Sequence, residues 1–151
     1  MLFRSDWGEN RDDRHSTSGH IFLMANGAIS WASQRQKMVA LSVGEAEYME
    51  LASTGRQAAW LRSFSGEIGF PIEEPIPLCS DNQAAIFLTI NPAVERRTKH
   101  IDIRHHYIRE QYEEKVVEPF HIAGEENPAD LFTKSLPVVK VEKFRSKIGL
   151  S

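Results

Sequence analysis

Two short apolar runs in residues 18–33, SGHIFLMANGAISWAS, flank Ala25-Asn26-Gly27. Asn-Gly is the commonest occupant of a tight hairpin turn, so this segment predicts two antiparallel strands. Residues 42–66 follow, alanine-rich and without proline, with Glu47, Leu51, Ala58 and Leu61 on one helical stripe at offsets of 4, 11 and 14. They predict a long central helix. Gly69, Pro71, Pro75 and Pro77 mark a loop, after which PLCSD reads as a short buried strand ending at Asp81 and NQAAIFLTI as a helix. In residues 98–115, Ile101, Ile108 and Tyr112 recur at helical spacing among charges, and VVEPFHI has the look of another strand. ENPADLFTK places proline and acids where a helix N-terminus prefers them, and a closing helix is expected near 138–148. With a short strand at the N-terminus the order is β-β-β-α-β-α-α-β-α, followed by the closing helix.

The chain of 151 residues is 41% hydrophobic and 26% charged, which suits one globular domain over residues 1–151. No repeat or long linker divides it. No apolar stretch approaches the roughly 20 residues that span a bilayer, and no signal-peptide-like segment opens the chain, so a soluble, intracellular protein is expected, without a membrane partner. The single cysteine, Cys79, excludes an internal disulfide and cannot alone make a structural zinc site. A formal charge of −3 argues against strong nonspecific binding to nucleic acid unless positive charge is gathered on one surface.

Acids at strand ends and on core-facing helix stripes carry the chemistry, because buried charge is costly without a partner. Asp81 ends a strand, Glu47 shares its stripe with apolar residues, Asp130 lies in the first turn of a late helix, and Asp6 lies where the first strand gives way to a loop. Glu45 falls about 200° around the helix from Glu47 and should face water. Oxygen ligands from four elements would repel one another unless metal occupied the site, and they suit Mg²⁺ or Mn²⁺. Two such ions are the usual device for in-line phosphodiester cleavage. Each acid also has an ordinary structural reading. Asp81 before Asn82 fits a helix N-cap, Asp130 a solvated acid at a helix dipole, and Glu47 a partly exposed helix acid.

The decisive stretches are DW and RDDRHSTSGHIF (6–7 and 11–22), AISWASQRQKMVALSVGEAEYMEL (28–51), WLRSF (60–64), CSDNQAAI (79–86), NP (91–92), RRTKHIDIRHHYIRE (96–110) and ENPADLFTKSLP (126–137). In these, over nearly its whole length, the chain resembles the RNase H domain at the C-terminal end of copia-type LTR retrotransposon polyproteins. The resemblance implies an α/β fold of the RNase H type, a central mixed five-stranded sheet flanked by helices. It also implies a metal-dependent endoribonuclease that removes RNA from the RNA/DNA hybrid of reverse transcription, working beside an upstream reverse transcriptase. Its metal-binding acids correspond to Glu47, Asp81 and Asp130. The family reads S-D-A-D-W on the first strand, and its catalytic Asp falls on Arg4 in an ungapped alignment, or on Asp6 with two residues deleted before Trp7. We assign Asp6. Glu50, where the family has a small residue, would crowd the core or add a fifth acid, and the first strand is curtailed. A catalytically inactive or decayed module that binds nucleic acid or supports a polymerase is the alternative.

The segment Glu95–Arg109 gathers Arg96, Arg97, Lys99, Arg104 and Arg109, a candidate phosphate-contacting surface or else an amphipathic helix with a solvated basic face. Ser16, Ser18 and Gln83 match family positions near the site, where side chains of this kind read a minor groove and 2′-hydroxyls, although capping explains the serines equally well. His121 falls on the strand before the loop that carries a proton-shuttling His in many RNase H enzymes, and is not assigned that role. Trp31 and Trp60 are expected to be core anchors.

Overall fold

In the computed structural model, residues 2–6, 17–35, 43–91 and 102–150 are described, with side chains for 17–35, 48–91 and 106–150. The strands are β1 (Leu2–Asp6), β2 (Thr17–Met24), β3 (Gly27–Arg35), β4 (Ile76–Ser80) and β5 (Val117–His121). The helices are α1 (Val43–Glu67), α2 (Gln83–Ile90), α3 (Asp102–Glu113) and α4 (Val138–Lys147). Two 3-10 turns, Gly124–Glu126 and Pro128–Phe132, fill the space between β5 and α4.

The strands lie in the order β3-β2-β1-β4-β5. β1, β2 and β3 pair antiparallel, β4 and β5 pair parallel, and the two parts meet at a single registered pair, Leu2 with Cys79. The five strands thus form one mixed sheet, its antiparallel and parallel parts joined through β1.

Successive residues of a strand face opposite sides, and β2, an inner strand, uses both. Phe22 joins Tyr48, Leu51, Ala58, Leu78, Ala85, Ile108 and Val117 in the larger core, while Ile21 packs with Ala129 and Ile148 in the smaller one. The stripe read from the sequence accounts for the burial of α1: Leu51 and Ala58 are buried and Leu61 packs against the same core. At Gly55 an added Cβ would overlap Ile108 Cδ1, so the missing side chain lets α1 and α3 approach closely.

Several expectations are corrected. The turn of the β2-β3 hairpin is centred on Ala25 and Asn26, at φ 48 and 63, with Gly27 already paired to Met24. Two consecutive positive φ values are the requirement of the hairpin turn that matches strand twist. ENPADLFTK forms no α-helix; the Asn127 side chain caps a 3-10 turn that ends at Phe132. Trp31 and Trp60 are not core anchors, being 62% and 54% exposed. β3 is an edge strand with an open outer surface, and Trp60 lies about 200° around α1 from the buried Ala58, where it stacks on Phe64.

Two substitutions test this packing. Ala25→Gly is expected to stabilise the fold by about 1 kcal/mol, by removing a Cβ from the left-handed region. Leu51→Ala is expected to destabilise it by about 2–5 kcal/mol. Urea unfolding of both variants measures the two effects.

Candidate metal and nucleic-acid site

β1 is the line on which the acid-bearing segments meet. It carries Asp6 at its end, α1 packs across it, β4 pairs with it just ahead of Asp81, and the turn Pro128–Phe132 packs against it. The side chains of Asp6 and Glu47 lie outside the described residues; their backbones stand on β1 and in the first turns of α1. Among the described residues no three His, Cys, Asp or Glu groups form a metal-binding cluster.

Asp81 follows the last residue of β4 and is part-buried. It is not the cap of α2. That role belongs to Asn82, whose Oδ1 accepts from the backbone N–H groups of Ala84 at 2.9 Å and Ala85 at 3.1 Å. The helix dipole and its free N–H groups are met by Asn82, so capping no longer explains Asp81. Ser80 secures the strand end, its hydroxyl accepting from Asn82 N and its carbonyl from Ile122 N.

Asp130 is not a solvated acid either, for it has no exposed surface. Its turn starts at the buried Asn127, whose Oδ1 accepts from Ala129 N at 3.1 Å, and the Asp130 carbonyl accepts from Thr133 N and Lys134 N. The turn lies tight on the sheet at Gly19, where an added Cβ would meet Phe132 Cβ at 2.7 Å, Thr133 Cγ2 at 2.9 Å and the Ala129 carbonyl at 3.1 Å. Ser33 on β3 donates to the Phe132 carbonyl at 2.6 Å. Two lysines approach the carboxylate: Asp130 Oδ2 lies 3.5 Å from Lys134 Nζ and 3.7 Å from Lys140 Nζ. Neither lysine was singled out from the sequence, although the i,i+4 spacing of Asp130 and Lys134 signals such a pair.

The register of β1 bears on its two candidate positions. Arg4 pairs with Gly19 and Asp6 with Thr17. Carried two residues along from the parallel pair Leu2–Cys79, Arg4 comes level with Asp81, and Asp6 stands one strand repeat further on.

Glu50 is buried without being an orphan charge. Its Oε1 lies 3.1 Å from His20 Nδ1 and accepts from the Thr54 hydroxyl at 3.2 Å, so it fastens α1 to β2. Tyr48 beside it is buried, and that burial pushes its hydroxyl well above the usual tyrosine range, with Arg109 partly offsetting the effect.

Of the expected nucleic-acid contacts, Arg96, Arg97 and Lys99 and the side chain of Arg104 lie outside the described residues, as does Ser16. Gln83 is exposed at the start of α2, while Ser18 is buried on β2. Arg109 leaves the basic surface: it is buried, and its Nη2 donates to the Leu88 and Asn91 carbonyls at 3.3 and 3.2 Å, tying α3 to the end of α2. His121 ends β5, exposed and paired with Ser80.

The chain is 41% identical over 146 residues to the retrovirus-related Pol polyprotein from transposon TNT 1-94 of Nicotiana tabacum, which covers 97% of this chain and 11% of the polyprotein. The Pol polyprotein from transposon RE1 of Arabidopsis thaliana is 36% identical over 147 residues, covering 97% of this chain and 10% of the polyprotein. The homologues of this chain are retrovirus-related Pol polyproteins of plant transposons. It spans about a tenth of the length of these relatives. No protein-family model matches it. The crystal structure of LC11-RNase H1 in complex with an RNA/DNA hybrid superimposes with a TM-score of 0.62 at 15% identity, covering 87% of this chain and 91% of that one. The chain therefore has the RNase H-like fold. No helix among its described residues is long and apolar enough to cross a membrane.

Gly19→Ala tests how closely the Asp130 turn depends on β2. Because the new methyl meets backbone and Cβ atoms, the variant is expected to lose about 1–3 kcal/mol of stability in thermal unfolding and to shift the amide resonances of residues 129–133.

Proposed function

We propose that this domain is a metal-dependent ribonuclease that hydrolyses the RNA strand of RNA/DNA hybrids during retrotransposon reverse transcription, within a polyprotein that carries the reverse transcriptase upstream. The observation that carries the reading is the convergence of three acid-bearing elements on β1, which itself carries Asp6, with Asn82 rather than Asp81 capping α2 and Asp130 fully buried. The described donors, carboxylate oxygens without thiolate, fit Mg²⁺ or Mn²⁺. Asp6, Glu47, Asp81 and Asp130 would hold two ions, which when bound supply an activated water and charge stabilisation at the leaving oxygen. The protein's own part is to fix the acids on rigid elements. Asn82 and Asn127 do this by taking the caps, and Gly19 by letting the Asp130 turn seat directly on the sheet. Gln83, one turn of chain beyond Asp81, would meet the sugar edge, and Arg96, Arg97, Lys99 and Arg104 the phosphates.

A second reading is favoured by the β1–β4 register, which, carried on two residues from Leu2–Cys79, brings Arg4 level with Asp81. If Arg4 holds the place of the first acid, the domain binds hybrid without cutting it.

A labelled RNA/DNA hybrid with Mg²⁺ or Mn²⁺ decides between the two. On the first reading the wild-type chain cleaves the RNA, and Asp81→Asn slows cleavage by about a hundredfold or more, equivalent to about 2.7 kcal/mol. On the second, the wild type leaves the RNA intact and Arg4→Asp restores cutting. Retention of full activity in Asp81→Asn contradicts both. For the phosphate contacts, Arg96→Ala and Arg97→Ala are each expected to reduce the slope of log affinity against log salt by about 1, measured by hybrid binding across a salt series.

A further inference from the structure

We propose that Lys134 and Lys140 are internal counter-ions of Asp130 that compete with a divalent cation for its carboxylate, so that the site passes between a lysine-closed and a cation-loaded state. The inference rests on the reading of Asp130 as a cation ligand and adds residues to it. Asp130 has no exposed surface, so its charge is balanced from within the protein. The two ammonium groups reach it from different elements, Lys134 from the end of its own turn at 3.5 Å and Lys140 from α4 at 3.7 Å. Both distances exceed the roughly 2.7–2.9 Å of a tight charge-assisted hydrogen bond, which leaves the contacts electrostatic and exchangeable. A magnesium-sized cation binds carboxylate oxygen at about 2.0–2.1 Å with twice the charge.

The two sides of the exchange differ in freedom. The Asp130 side chain is enclosed, whereas those of Lys134 and Lys140 are 27% and 37% exposed and their stems lead toward water. α4 itself is held, by the buried Phe144 and Ile148 and by Lys143 and Lys147 on Glu126. The exchange therefore moves the Lys140 stem rather than the helix. In this same position the Lys140 Nζ also stands 5.9 Å from the centroid of the Phe144 ring.

The test is Mn²⁺ affinity of the full chain without nucleic acid, by calorimetry and by the Mn²⁺-induced rise in Tm, for the wild type, Lys134→Gln, Lys140→Gln, Lys140→Arg and Asp130→Asn. Each glutamine variant is expected to bind Mn²⁺ about three- to tenfold more tightly. Lys140→Arg should match the wild type, and Asp130→Asn should bind more weakly than all of them. Glutamine variants that bind no more tightly than a wild type that itself binds Mn²⁺ overturn the counter-ion role and leave the cation site standing. Absence of Mn²⁺ binding in every variant overturns the cation site and this inference with it. If Lys134→Gln fails to fold, Lys140→Gln carries the comparison, because Lys134 remains to balance Asp130.

Discussion

A carboxylate with no contact with water must be met by positive charge and by a backbone that cannot move away, and much of this domain follows from that condition at Asp130. The turn that carries it is capped by a buried asparagine, seated on a strand at the one residue without a side chain, and bonded to the edge strand through Ser33. α4 closes the same region. Its end returns to the hairpin through Ala28 N to the Ile148 carbonyl, and Glu126 bridges to Lys143 and Lys147, whose hydrogen bonds hold its carboxyl down at about 2. The small core of Ile21, Ala129 and Ile148 fills the space beneath. Such a cluster is a poor way to gain stability, since well-packed apolar residues would serve as well, which makes a role for the acid the better account of its presence.

The rest of the sheet brings other elements to the same line. β1 is only five residues long, yet it lies between the antiparallel and parallel parts and is touched by α1, β4 and the Asp130 turn. A short strand in that position makes the site sensitive to a shift of one residue in register, because neighbouring positions face opposite sides. Whether Arg4 or Asp6 stands among the acids is therefore the point on which catalysis or simple binding turns. The His20–Glu50–Thr54 contact has the complementary effect of fixing α1 against β2 one turn after Glu47.

Much of this was legible in the sequence where local chemistry and long-range packing agree. The Leu51–Ala58–Leu61 stripe located the core face of α1, and the apolar run before Asp81 located β4. The failures have physical reasons. Proline and acids at Pro128–Asp130 signal the start of a helix, but nothing local shows that Gly19 holds that turn flat against the sheet as a 3-10 segment. Trp31 and Trp60 are large enough to be expected inside, and only the strand order and the angular position on α1 place them outside. Arg109 counts as surface charge along the chain, yet it spends its donors on the carbonyls at the end of α2. Lys140 is ten residues from Asp130, and only the fold of α4 brings it close.

The central claim is that the acids around β1 share divalent cation, and the broadening of amide resonances by substoichiometric Mn²⁺ tests it most directly. The account predicts that the amides of Glu47, Asp81 and Asp130 broaden first and together, since paramagnetic relaxation falls steeply with distance. Broadening centred instead on the histidines at 105 and 106, or at Asp81 without Asp130, would contradict it.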